Sequence, residues 1–225
     1  SADKKYEIYV LYAELSAKNR LRICSLSTSN VSIEFIDVSG LLKSEKIDDS
    51  IRQHHLTVDT TYRLLIPLVL PQYKHVLYLD CDLILNDDAA RLYESLITDF
   101  SDDSILFAAR ERLHAGNVSD ITGCGASPEG YFNAGVLLIN CEIFERENVR
   151  SRCLDLLSDS KKYKMLDQDV LNITCQCGCQ YFDDDWNFTW ERLITNYDLL
   201  DGAEYGRCDN VPSVIHYSTS IKPWN

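Results

Sequence analysis

Several things are scarce in this chain. Lys and Arg number 22 against 35 Asp and Glu, a formal net charge of -13. A nucleic-acid binder must neutralise phosphates, so that class is set aside. General adhesion to anionic membranes is disfavoured for the same reason. Long apolar runs are missing too. The longest, LLIPLVLP, holds two prolines and falls far short of the ~20 residues that span a bilayer. The opening residues, SADKKYEIYV, carry no signal-peptide pattern. The expectation is a cytoplasmic protein, with membrane contact at most peripheral, at the inner face. Repeats, linkers and low-complexity blocks are absent, so one domain over residues 1–225 is the economical reading, and 45% hydrophobic residues suffice for one core.

Cysteine is not scarce. There are nine, an odd number, which suits reduced thiols in a cytosolic chain better than a disulfide framework. Cys175, Cys177 and Cys179 form C-x-C-G-C, without the usual C-x-x-C zinc spacing or an evident fourth ligand. A turn containing Gly178 is the expectation. The sequons at Asn30, Asn117, Asn172 and Asn187 read as chance in the absence of a secretion signal.

The stretch VLYLDCDLIL, residues 76–85, poses the chemical question. A continuous apolar run reads as a strand covered on both faces. Asp80 and Asp82, two apart, would project to one face and bring like charges together where solvation is poor. Such a pair asks for a cation, or for one member to hold a proton. Around it, YEIYVLY, VSIEFIDVS, ILFAARE, YFNAGVLLIN and SVIHYS read as strands. RLLIPLVLP, NDDAARLYESLI, EIFERENVRSRCLDLLSDSKKY and an Asp-capped LDQDVLNIT read as helices. Residues 113–130 read as a loop, and CQYFDDDWNF as strand or loop. The alternation predicts an α/β fold, Rossmann-like, with a mostly parallel sheet flanked by helices. Ligands then bind beyond the carboxyl ends of the strands, where Asp80 and Asp82 would sit. Mg or Mn suits such carboxylates.

Two chemistries use D-x-D after an apolar strand. Haloacid dehalogenase-like phosphatases make the first Asp a nucleophile, with Mg bound, and Asp183–Asp185 could imitate their later acidic motif. GT-A glycosyltransferases use the pair to hold a metal on a nucleotide-sugar diphosphate. A non-catalytic nucleotide-sugar-binding protein is a third class.

The order of TTYRLLIPLVLPQYKHVLYLDCDLILNDD, YFNAGVLLIN, LDQDVLNI and HYSTSIKPW resembles the bacterial branch of glycosyltransferase family 8. That branch includes lipopolysaccharide galactosyl- and glucosyltransferases and is related to glycogenin. The resemblance implies a GT-A fold and retaining transfer of galactose or glucose from UDP-galactose or UDP-glucose to a glycan or glycolipid acceptor. It implies Mn as cofactor, with Mg as the alternative. The metal ligands would be Asp80, Asp82 and His216. Lys222 would meet the diphosphate, Arg63 the sugar and diphosphate, and Asn133 the donor sugar. Asp167 and Gln168 would border the sugar as the catalytic pair, with Glu111 more loosely matched. Thr219 stands where the family often has Gly. The resemblance further implies an N-terminal strand, with an Asp and a Tyr on uridine, and a C-terminal tail, neither found within these residues. Donor epimer, acceptor and oligomeric state stay open.

Overall fold

The computed structural model describes residues 3–45, 58–113, 115–158, 162–190, 211–219 and 222–224. Strand β1 (Tyr6–Tyr12) runs parallel to β2 (Val31–Asp37), joined by the helix Ala17–Cys24. Ser16 caps that helix by accepting from Asn19 N at 3.2 Å. A four-stranded sheet follows in the order β3 (His75–Leu79), β6 (Phe132–Asn140), β5 (Leu106–Arg110), β7 (Cys179–Phe182). A small third sheet has the order β4 (Leu83–Leu85), β9 (Val214–His216), β8 (Phe188–Thr189). Among the described residues β1 pairs only with β2, and β3 only with β6. A side-chain contact joins β1 to the segment just before β3: the Tyr9 and Tyr73 hydroxyls lie 2.8 Å apart.

Every residue of β6 is buried. On one face Leu137 and Ile139 join the main core, with Phe144, Val149, Cys153, Leu157, Val170 and Leu171 from the following helices. On the other face Val136 and Leu138 meet Phe107, Leu92, Leu96 and Val214. Burying one Leu side chain contributes about 1.5–3 kcal/mol, so β6 anchors the domain.

Four expectations need correction. The sheet is mixed, not mostly parallel: β6 runs antiparallel to both β3 and β5, while β5–β7 is parallel. A strand buried on both faces is apolar throughout whichever way it runs. Residues Ala115–Cys124 form a helix where a loop was expected. Its sequence has weak propensity, and the burial of Ile121 and Cys124 in the core supplies what propensity does not. The long helix after β6 is two, Cys141–Arg146 and Val149–Leu157, broken at Asn148 with φ 53°. Asn tolerates that left-handed conformation better than most residues. VLYLDCDLIL is also not one strand: β3 ends at Leu79 and β4 begins at Leu83, with both aspartates in the turn between.

Candidate active site

The site is built on an irregularity in β6. Ala108 faces Leu137 across the β5–β6 ladder, and the next residue, Ala109, faces Asn133. Ala134, Gly135 and Val136 therefore have no partner on β5. A bulge leaves backbone groups that must be satisfied elsewhere. Here three site side chains and one site backbone group do so. Ala134 N donates to Gln168 Oε1 at 3.0 Å, and Arg63 Nη1 donates to Ala134 O. Gly135 N donates to Asn133 Oδ1 at 2.9 Å, and Asp80 N donates to Gly135 O at 2.8 Å. One stretch of backbone thus collects Gln168, Arg63, Asn133 and Asp80. Gly135 itself has no room for a side chain: a Cβ there would lie 2.2 Å from His216 Cε1 and 3.0 Å from Asp80 Oδ2.

Arg63 is 5% exposed and lies between two carboxylates. Its Nη2 is 2.9 Å from Asp80 Oδ1 and its Nε is 3.0 Å from Asp167 Oδ2. Its guanidinium also lies 4.7 Å from the Tyr78 ring centroid, and the Tyr78 hydroxyl donates to Asp80. Burial works against the Arg63 charge, but the neighbouring carboxylates, Asp167 foremost, raise its proton affinity above the ordinary value. Asp167 is not the cap of its helix, as had been expected. The N-cap is Leu166, with no side-chain cap bond, and Asp167 opens the helix Asp167–Cys175 with its carboxylate turned to Arg63. Leu166 has φ 40° and ψ -107°, a conformation L side chains rarely adopt. Asn172, one turn on from Gln168, fastens this helix to β6 by accepting from Phe132 N at 2.8 Å and donating to Phe132 O at 2.9 Å.

His216 reaches the aspartates through strand register, because β4 and β9 pair with Leu83 opposite His216. Its Nε2 lies 3.3 Å from Asp82 Oδ1 and 3.7 Å from Asp80 Oδ2. Tyr217 N donates to Asp82 O at 2.9 Å, tying the same strand end to the turn. Lys222 Nζ donates to Asp82 Oδ2 at 2.6 Å and also to Tyr217 O. Burial opposes ionisation of Asp82, but hydrogen bonding and positive charge from His216, in its doubly protonated form, and from Lys222 outweigh it and bring its carboxyl down to about 2. The opening question thus has an answer: Asp80 is countered by Arg63, and Asp82 by Lys222.

Asp80, Asp82 and His216 offer ligand atoms all within 4.8 Å of one another, the one such group of His, Cys, Asp or Glu among the described residues. Two carboxylates and a neutral imidazole fit a divalent ion such as Mn, which accepts mixed O/N ligation. The C-x-C-G-C stretch forms the expected turn: Cys175 ends a helix, Gln176–Gly178 make a 3-10 turn, and Cys179 begins β7. The acidic run before Trp186 is structural. Asp183 accepts from Asp185 N at 2.9 Å, Asp184 pairs with Arg112 at 2.9 Å, and Asp185 accepts from Ser213 N at 3.0 Å. Thr219 is exposed on the segment after β9. Glu111 accepts from Asn133 Nδ2 at 2.7 Å.

Sequence reasoning missed Gly135, Asn172, Tyr78 and Asn187. Asn187 Nδ2 donates to Asn133 Oδ1 at 2.9 Å, and its Oδ1 lies 2.9 Å from His216 Nδ1. It was visible in the sequence only as an isolated sequon. Its 1% exposure makes it an interior hydrogen-bonding residue.

This layering, with acidic residues beyond a buried strand, is the GT-A glycosyltransferase fold, as likeness to solved structures shows. Galactosyltransferase LgtC in complex with donor and acceptor sugar analogs matches with a TM-score of 0.76 at 24% identity, over 100% of this chain and 80% of that one. The WbbM bifunctional glycosyltransferase matches with a TM-score of 0.77 at 22% identity, over 100% of this chain and 42% of that one. The chain matches glycosyl transferase family 8 over residues 1–225, and it belongs to that family. General stress protein A of Bacillus subtilis (strain 168) is 25% identical over 233 residues, 99% of this chain and 78% of that protein. Lipopolysaccharide 1,3-galactosyltransferase of Salmonella typhimurium is 33% identical over 99 residues, 43% of this chain and 28% of that protein. No helix among the described residues is long and apolar enough to cross a membrane.

Proposed function

We propose that this chain transfers a hexose, galactose or glucose, from a UDP-sugar to a glycan or lipopolysaccharide-type glycolipid, with retention of anomeric configuration. The observation that carries the reading is the convergence of Asp80, Asp82 and His216, with Lys222 bonded to Asp82 and Gln168 and Asp167 across Ala134. Those three side chains would hold Mn, or Mg in its place. A divalent ion there supplies charge stabilisation to a departing diphosphate.

The protein's own groups divide the remaining work. Lys222 meets the diphosphate as a point charge. Arg63 is locked between Asp80 and Asp167, so it orients both carboxylates and acts less as a free hand for the donor. Gln168, its oxygen bonded to Ala134 N, borders the sugar on the face away from the leaving group. A carboxamide is a poor nucleophile, so a covalent intermediate is disfavoured. The acceptor hydroxyl then approaches from the leaving-group side and gives its proton to a diphosphate oxygen. No general-base residue is required.

Membership of the glycosyl transferase family sets the phosphatase alternative aside. The test is UDP release from a panel of UDP-sugars, with and without Mn, with glycan acceptors present. Mn-dependent release from UDP-galactose or UDP-glucose that Asp82→Asn abolishes is the expected result. Tight UDP-sugar binding with no turnover would make the chain a binding protein, and no binding of any UDP-sugar would overturn the reading.

A further inference from the structure

His216 can present a lone pair to a cation from Nε2 only if its other ring nitrogen carries the proton. The hydrogen bonds behind it decide this, and they can be followed from two unambiguous ends. Gly135 N is a backbone donor, and it bonds Asn133 Oδ1 at 2.9 Å. At the other end of the same amide, Asn133 Nδ2 donates to Glu111 Oε2 at 2.7 Å, and a carboxylate accepts. A flipped Asn133 would set donor against donor at Gly135 and acceptor against acceptor at Glu111. Its orientation is therefore fixed.

Asn133 Oδ1 takes a second donor, Asn187 Nδ2, at 2.9 Å. Flipping Asn187 would bring two amide oxygens together. So Asn187 must turn its own oxygen to His216 Nδ1, 2.9 Å away. An amide oxygen only accepts, hence Nδ1 donates and the neutral ring keeps its lone pair on Nε2. That nitrogen is the one facing Asp82 and Asp80. Asn133, Asn187 and His216 are 6%, 1% and 3% exposed, so water cannot repair a reversed amide.

We propose that Asn187 is a positioning residue that holds His216 in its Nδ1-protonated form, aimed at the Asp80–Asp82 turn, and that Asn133 and Glu111 fix Asn187 in turn. This rests on reading Asp80, Asp82 and His216 as a cation site. Outer hydrogen-bond partners of metal-binding histidines characteristically work this way. A corollary concerns Asn133: its oxygen is doubly occupied and one of its N–H groups is taken by Glu111, so toward a sugar it can donate but not accept.

The experiment is 15N NMR of the metal-free protein under conditions where the ring is neutral, with His216→Gln used to assign the signal, followed by Mn titration without donor. Wild type should show the Nδ1-protonated tautomer. Asn187→Ala should lose that preference and bind Mn about tenfold more weakly. Asn187→Asp should keep the tautomer, since a carboxylate still accepts from Nδ1, while breaking the link to Asn133. An Nε2-protonated wild-type ring would overturn the proposal without any variant needing to fold. Unchanged tautomer and Mn affinity in Asn187→Ala would overturn it as well. A chain that passes these tests but turns over no UDP-sugar would refute the proposed function and leave this assignment standing.

Discussion

The two sides of the site are held by different forces. The inner wall consists of Arg63, Asn133, Asp167, Gln168 and His216, each no more than 9% exposed and tied to backbone or to another buried side chain. The rim consists of Asp80, Asp82 and Lys222, with side chains 22%, 27% and 19% exposed. At the rim Asp82 and Lys222 face each other as charges that an entering ion or diphosphate can replace, while Asp80 keeps Arg63 and the Tyr78 hydroxyl. At the wall, replacement would leave a buried group without a partner, at roughly 1–3 kcal/mol each. The wall is preorganised and the rim exchanges.

The sharpest way to break this contrast is at Arg63. Arg63→Met removes the cation between two carboxylates and leaves Asp167 buried and uncompensated. A loss of about 3–5 kcal/mol is expected in urea denaturation. Adding Asp167→Leu should recover much of it, and a double-mutant cycle with no coupling would contradict the account. Next comes Gly135→Ala. A Cβ 2.2 Å from His216 must displace a pinned ring, at about 1–3 kcal/mol, and Mn affinity should fall more than tenfold. Mn titration with a fold control checks it; normal binding would mean that the ring yields freely.

The third prediction is about pH. Asp82 titrates near about 2 in the folded chain, below its ordinary 3.8, so the folded state binds fewer protons in that window. Its contribution is full above about pH 4 and is lost as pH falls toward about 2, on the order of 2 kcal/mol in the metal-free protein. Asp82→Asn should flatten that part of the stability profile. The smallest structural effect belongs to Lys222→Met, at a partly exposed pair: below about 1 kcal/mol in stability, but roughly tenfold in UDP affinity by calorimetry. A large stability loss there would place Lys222 in the wall.

The residues read from sequence as one site do meet in space, although His216 is far along the chain from Asp80. Motif order carried that information; no spacing rule could, because the contact depends on Leu83 lying opposite His216. The direction of β6 was not legible, since burial on both faces erases the alternation that would mark one. The break after Leu79 was equally hidden, because Leu83–Leu85 continue the same apolar pattern. Asn187 left no trace as a functional residue: an amide that acts through another amide has no motif of its own. The bulge at Ala134–Val136 could only have been guessed from Gly135, which a strand also tolerates for other reasons.

That bulge has a practical corollary for anyone preparing variants. The side chains of Gln168, Arg63 and Asn133 and the backbone N–H of Asp80 close the gap it opens in the sheet, so those three side chains are fasteners of the fold and furniture of the site. Substituting them to obtain an inert protein will lower yield and melting temperature together with activity, and the two losses will be hard to separate. Asp82 and Lys222 fasten no part of the bulge. A well-folded inactive control for acceptor binding or crystallisation is therefore to be sought at those two positions, and a redesign of donor preference should begin outside the bulge's three fasteners.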